Sequence, residues 1–364
     1  MEKQKTYQSV GRIRDMQRIT RLKQLETKQG KPAATAIFNP TNIIYFTSFS
    51  GATALYIPED GNATLLVSDV NYEQAKAELK NIQIELLKPG ENLMQKIAQQ
   101  NPNQLSVDTL SIENWRSLTK AMGGENKLEL VGDLVRKLRS VKEPEEIKFI
   151  REACRIATIG MTAAKQTIGV GVKEKDVAAQ VEYEMRRAGS EGVAFDTIIA
   201  SGLTSAYPHG GKLERIIEDF DFVTVDIGAT CNFYCSDITR TFIASKATDK
   251  HAKIYNTVKL AHERGVEAIE NGTAAKDVDA AARAVIAGTG LGEYFCHNLG
   301  HGIGLQIHEA PILSKVSKDI LEAGNVVTIE PGIYLPGFGG VRIEDSVLVT
   351  EKGAEILTVG PCMP

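Results

Sequence analysis

No stretch of the 364-residue chain approaches the ~18 consecutive apolar residues that a membrane-spanning helix needs, which excludes a membrane protein of that kind. An excess of basic charge is missing as well. The 42 Lys and Arg stand against 46 Asp and Glu, a net charge of −4, so nothing points to nucleic acid or an anionic membrane as partner. Cysteine is sparse and scattered: Cys154, Cys231, Cys235, Cys296 and Cys362. An odd set spread over so long a chain argues against a disulfide scaffold and for a reducing, cytoplasmic setting. Cys231 and Cys235 lack the second Cys/His pair of a zinc finger and read as hairpin residues. Residues 1–31 carry nine Lys/Arg and three acids but no apolar segment with a cleavage site. They read as a basic, half-exposed helix packed through Ile13, Met16, Ile19 and Leu22, and not as a targeting peptide.

What is present is the composition of a globular protein, 43% hydrophobic and 24% charged, in a chain long enough for two domains. Up to about residue 135, β-rich runs at Ala34–Phe38, Ile43–Phe46, Ala54–Ile57 and Thr64–Val67 alternate with helical patterns over 70–80, 91–100 and 112–122. This predicts an α/β sandwich over residues 1–138. Leu130, Leu134 and Leu138 suggest a connecting helix, and Pro144 followed by two acids marks a new helix start. The second domain, 139–364, contains an internal repeat. Gly171, Lys175-Asp176-Val177 and Gly189 recur as Gly272, Lys276-Asp277-Val278 and Gly290, all offset by 101 residues. A long helical pattern precedes each copy and strand-like sequence follows. Two helix-helix-strand-strand halves about a pseudo-twofold axis are expected, an α+β architecture with a cleft where the halves meet.

Acids interrupt the apolar strands of this second domain. Asp226 lies in the β-run 222–228, where a lone ionised carboxylate would cost several kcal/mol. Asp237 follows eleven residues later, and a hairpin around Ala229–Asn232 would bring the two side by side. Glu330 and Glu344 interrupt two further runs. Three of the six histidines, His297, His301 and His308, fall within twelve residues. Asn298 and the glycines at 300, 302 and 304 rule out a helical zinc motif there, and place His301 on a turn. His209 stands in Tyr-Pro-His-Gly. Asp226, Asp237, His301, Glu330 and Glu344 together offer four carboxylates and one imidazole, a donor set suited to two divalent ions such as Mn, Co, Fe or Zn.

On these residues the chain resembles the pita-bread metallopeptidases, the family of methionine aminopeptidase, aminopeptidase P and prolidase. The resemblance rests on Pro208-His209-Gly210, the Asp226/Asp237 pair, Gly300-His301-Gly302-Ile303-Gly304, His308-Glu309 with Pro311, Ile329-Glu330-Pro331-Gly332 and Arg342-Ile343-Glu344-Asp345. Residues 39–51 resemble the family's creatinase-like N-terminal domain. The resemblance implies that Asp226, Asp237, His301, Glu330 and Glu344 hold two divalent ions, manganese the first choice, bridged by a hydroxide. It implies that Glu330 shuttles a proton, that His209 and His308 donate hydrogen bonds to the substrate, and that His297 shapes the pocket beyond the scissile bond. Arg342 and Tyr334 would orient ligands. A full N-terminal domain resembles the proline-specific branch, so the implied substrate is a proline-containing di- or oligopeptide and the implied assembly a homodimer. Xaa-Pro dipeptidase is preferred because the first domain is short, with Xaa-Pro aminopeptidase the alternative. A non-catalytic binding protein on the same fold is disfavoured by the intact ligand set, and a dinucleotide enzyme by the lack of a Gly-x-Gly-x-x-Gly after a strand.

Overall fold

The computed structural model describes residues 16–30, 34–100 and 102–361. The chain divides into two compact units, Met1–Arg139 and Ser140–Pro364. The first is built on a six-stranded mixed sheet in the order Gln83–Leu87, Thr64–Ser68, Ala54–Ile57, Ala34–Ile37, Leu105–Val107, Leu128–Leu130. Every residue of Ala34–Ile37 and Ala54–Ile57 is buried, so the sheet is covered on both faces as an α/β sandwich requires. The run Ile43–Phe46 is not a strand. It lies in the helix Pro40–Thr47, because the Asn39 side chain accepts hydrogen bonds from the Thr41 and Asn42 amides and Pro40 presets the first turn. In the N-terminal helix, described over 16–28, Ile19 and Leu22 are buried. Met16 is 41% exposed and leaves the expected stripe, while Ile13 and Cys362 lie outside the described residues.

The first long helix of the second unit begins at Pro144, where the Glu143 amide donates to the Glu146 carboxylate and opens the helix Pro144–Thr167. The repeat is real in three dimensions. The helix pair Pro144–Thr167 and Glu174–Arg187 corresponds to Asp249–Glu267 and Ala275–Gly288. In each copy the linking glycine, Gly171 or Gly272, has positive φ (88° and 93°). Each donates its amide to a carbonyl after the strand region, Ile217 in one copy and Leu321 in the other.

Both helix pairs serve one antiparallel sheet, ordered Glu309–Leu313, Gly300–Gly302, Val326–Ile329, Glu344–Thr350, Ile238–Ile243, Phe222–Ile227, Ile198–Ser201. Val223, Val225, Ile227 and Phe242 pack against the first helix pair. Val327, Ile329, Val347 and Val349 pack against the second. The expected hairpin after Ile227 turns at Asn232-Phe233, both at positive φ, between the short strands Thr230–Cys231 and Tyr234–Cys235. Cys231 and Cys235 are therefore hairpin residues, and the four described cysteines are all free.

A Cβ at Gly171 or Gly272 would meet nothing within 4 Å, so only the positive φ resists substitution there. Gly171→Ala and Gly272→Ala should each cost about 1 kcal/mol, equal within error because the repeat makes the sites equivalent. Gly300→Ala should cost about 3 kcal/mol, since its Cβ would sit 1.9 Å from the Thr328 carbonyl oxygen. Urea denaturation of the three variants checks this ranking.

Candidate metal centre

The sheet order itself assembles the site. Asp226 pairs with Thr239, Thr239 with Glu344, Ile329 with Asp345, and Gly302 with Val327. Because side chains alternate along a strand, these registers put Asp226, Asp237, Glu344, Glu330 and His301 on one face. They come from five consecutive strands of the sheet. The face opposite is the apolar one packed on the helices. Asp237 precedes its strand by one residue and Glu330 follows its own by one, so the row lies at strand ends. Asp226 and Asp237 are diagonal neighbours and not directly opposed, since Asp226 faces Thr239.

His301 is in a strand, not on a turn as its flanking glycines suggested. Those glycines serve close strand contact: a Cβ at Gly300 would strike the Thr328 carbonyl and one at Gly302 the Ala310 carbonyl, at 1.9 and 2.2 Å. The His301 Nδ1 lies 3.1 Å from the Gly302 carbonyl, which fixes the proton there and turns an unprotonated Nε2 toward the acids. Nε2 is 3.4 Å from Glu330 and 3.7 Å from Asp237. Donor atoms of Asp237, His301 and Glu344 all lie within 4.8 Å of one another.

The electrostatics of this row are those of a site short of positive charge. Burial, then repulsion from Glu344, Asp226 and Glu330, raises the Asp237 pKa well above its ordinary value. Burial and repulsion from Glu330 and Asp226 do the same to Glu344. Glu330 is pushed up to about 8, by burial first and Asp226 next, against the pull of Arg342. Burial and the neighbouring His308 lower His301 to about 4, so its imidazole is neutral. Among the described residues, Asp226 Oδ1 and Asp237 Oδ1 are buried with no hydrogen-bond partner. Orphaned carboxylate oxygens beside a free imidazole nitrogen fit divalent cations in this place.

The remaining predicted residues surround the row. Arg342 is fully engaged: Nη2 donates to Asp226 Oδ2 (2.7 Å), Nε to Thr239 Oγ1 (3.2 Å), and Nη1 to Tyr334 Oη (2.8 Å) and the Pro208 carbonyl (3.1 Å). Tyr334 Oη lies 2.9 Å from His297 Nε2. Burial, then Arg342, lowers His297 to about 4. His308 is exposed, with its ring centroid 4.3 Å from that of His301. His209 is exposed on a turn, close enough to His297 for its charge to disfavour that imidazolium. Two hydroxyls escaped the reading of the sequence. Thr239 donates to Glu344 Oε2 (2.6 Å) and Thr328 to Glu330 Oε1 (3.1 Å). Each stands two residues from an acid of the row on its own chain segment, so same-face alternation was the signal that could have found them.

Both units match families of known proteins. The model of metallopeptidase family M24 matches residues 148–351, and that of the creatinase/prolidase N-terminal domain matches residues 18–141. The Xaa-Pro dipeptidase of Pyrococcus furiosus is 43% identical over 327 residues, 88% of this chain and 92% of that protein. The crystal structure of the prolidase from Pyrococcus horikoshii OT3 superposes with a TM-score of 0.88 at 38% identity, over 95% of this chain and 99% of the other. The X-Pro aminopeptidase structure from Thermotoga maritima MSB8 gives 0.83 at 34% identity, over 91% and 97%.

The raised carboxyl pKa values have a measurable consequence. With a folded-state value of about 8 against an ordinary 4.5, protonated Glu330 favours the fold. Its contribution is fully present below about pH 4.5 and is lost as pH rises through 8; Asp237 and Glu344 act in the same direction. Chelator-treated protein should therefore melt lower at pH 8 than at pH 5.5, and Mn²⁺ should reverse the trend, since the ions require the ionised ligands. Calorimetric melts at the two pH values, with and without Mn²⁺, test this.

Proposed function

The chain belongs to metallopeptidase family M24, and from that premise we propose that it is an Xaa-Pro dipeptidase. The observation that carries the reading is the row of four carboxylates and one imidazole on a single sheet face, with two aspartate oxygens left free. The substrate class follows from the P. furiosus and P. horikoshii relatives, and from a creatinase-type N-terminal domain matching the first unit. The hydrolysed bond is an imide without an N–H, so the site must recognise the prolyl ring and carbonyl and not an amide proton.

Asp226, Asp237, His301, Glu330 and Glu344 would hold two divalent cations, manganese the first choice among Mn, Co, Zn and Fe for so oxygen-rich a set. When bound, such ions bring the pKa of water toward neutrality and polarise a carbonyl. The protein's own groups do the rest. Arg342 occupies Asp226 Oδ2 and so leaves Oδ1 for a cation. The Nδ1 bond to Gly302 keeps His301 Nε2 unprotonated. Glu330, whose Oε1 lies 3.4 Å from His301 Nε2, carries a proton from the attacking water to the leaving prolyl nitrogen as the C–N bond breaks. One water is consumed, and a free amino acid and proline leave. His308, beside His301, and His209 donate hydrogen bonds to the developing oxyanion and the substrate backbone. Neutral His297 lines the pocket for the prolyl ring, held by Tyr334. The enzyme acts as a cytoplasmic homodimer in this reading, an assembly implied by the family resemblance.

Xaa-Pro aminopeptidase activity is the second reading, favoured by the T. maritima likeness. Protein stripped with chelator and reconstituted with Mn²⁺, Co²⁺ or Zn²⁺ should cleave Ala-Pro and leave Met-Ala-Ser intact. Release of Ala from Ala-Pro-Ala without cleavage of Ala-Pro would favour the aminopeptidase, and cleavage of Met-Ala-Ser alone would overturn proline specificity. Glu330→Gln should reduce kcat by about a thousandfold or more while the protein still unfolds cooperatively. Near-normal turnover in that variant would contradict the scheme.

A further inference from the structure

The segment 295–299, which carries His297 toward the strand Gly300–Gly302, is gripped from the helix Ala275–Gly288 by two side chains one turn apart. Arg283 forms a bidentate pair with Asp279, Nε to Oδ2 and Nη2 to Oδ1, both at 2.8 Å. The same guanidinium donates to the Phe295 carbonyl (3.0 Å) and the His297 carbonyl (2.9 Å). Its carbon sits 3.9 Å above the Phe295 ring, which in turn meets the His297 ring edge-on at 5.1 Å. Asp279, almost wholly buried, also accepts the Leu299 amide at 3.1 Å.

The internal repeat separates fold from function here. At the 101-residue offset the first copy has Ala178 and Glu182 where the second has Asp279 and Arg283. Glu182 is exposed, and the helix Glu174–Arg187 packs without any such pair. The equivalent helix of the repeat is thus built without the pair, and a buried ion pair adds little stability over apolar packing. What the second copy has and the first lacks is the His297–His301 segment. A planar guanidinium with fixed donor directions suits a clamp on two carbonyls, which a lysine cannot reproduce.

We infer that Asp279 and Arg283 are positioning residues that fix the place and tautomer of His297, and through it the fit of the residue after the scissile bond. The inference rests on the role given to His297 above. Arg342 can only donate to Tyr334 Oη, so Tyr334 gives its one proton to His297 Nε2. His297 Nδ1, 2.7 Å from the Asn298 carbonyl, then carries the imidazole proton. The clamp on the 295 and 297 carbonyls holds the backbone end of this chain while Tyr334 holds the ring end.

The test compares Arg283→Met, Arg283→Lys, His297→Ala and the Arg283→Met/His297→Ala double variant in the Mn²⁺-loaded full chain. Arg283→Met should raise KM for Ala-Pro about tenfold, with kcat changed by no more than about twofold and the number of bound Mn²⁺ ions unchanged. Added to His297→Ala it should cause no further loss, since it acts through that residue. In metal-free, ¹⁵N-histidine-labelled protein, the resonances that His297→Ala removes should report a single Nδ1–H tautomer in the wild type and tautomer averaging in both Arg283 variants. Multiplying losses in the double variant, or an unchanged His297 signature in Arg283→Lys, overturns the inference. The spectrum is read without turnover, so a wild type inactive on every Xaa-Pro peptide would sink the dipeptidase reading and leave the positioning claim to be decided by the tautomer alone.

Discussion

Four carboxylates converging on one face of a buried sheet repel one another, and the architecture of the second unit depends on how that repulsion is met. Among the described residues a single guanidinium, that of Arg342, touches the group, and it is committed to Asp226 Oδ2, Thr239, Tyr334 and Pro208. One cation against four acids leaves a deficit that burial makes expensive. Protons meet it in part, which is what the upward shifts of Asp237, Glu330 and Glu344 express. Divalent cations meet it fully, and the two free aspartate oxygens are where they would enter. In this view the same constraint that threatens the fold prepares the chemistry.

The other side of the same sheet shows that burial alone does not produce the shifts. Asp345 is the next residue after Glu344 and, by alternation, points the opposite way. Burial would raise its pKa too, yet the pKa is lowered, because His262 lies 3.1 Å away and Arg240 donates at 2.7 Å. Arg240 also donates to the Glu344 carbonyl at 2.6 Å, tying the strand that carries the ligand. Two adjacent acids in one strand thus have opposite fates, set by which face supplies a partner. Charge is satisfied within the protein behind the sheet and left open in front of it.

Much of this was legible in the sequence, for reasons that can be named. An acid inside an apolar β-run is costly enough to be noticed, and Asp226, Glu330 and Glu344 each stand out that way. The 101-residue repeat appeared as glycines because both helix-linking turns need positive φ. What escaped was set by contacts distant in sequence or by very short elements. The glycines around His301 looked like turn formers, but they answer to the Thr328 and Ala310 carbonyls on neighbouring strands. Ile43–Phe46 has a strand's composition, and the Asn39-Pro40 cap overrides it. Three-residue strands such as Leu105–Val107 are too short to show a period. Thr239, Thr328 and the Asp279–Arg283 clamp matter through what they hold, which only the sheet register and helix packing reveal.

Whether two cations share one sheet face is addressed directly by anomalous diffraction from crystals grown with Mn²⁺. Two peaks are expected on the carboxylate face, with Asp226 Oδ1 and Asp237 Oδ1 both among the ligating atoms. A single peak held by Asp237, His301 and Glu344, with Asp226 Oδ1 still free, would contradict the paired-ion centre.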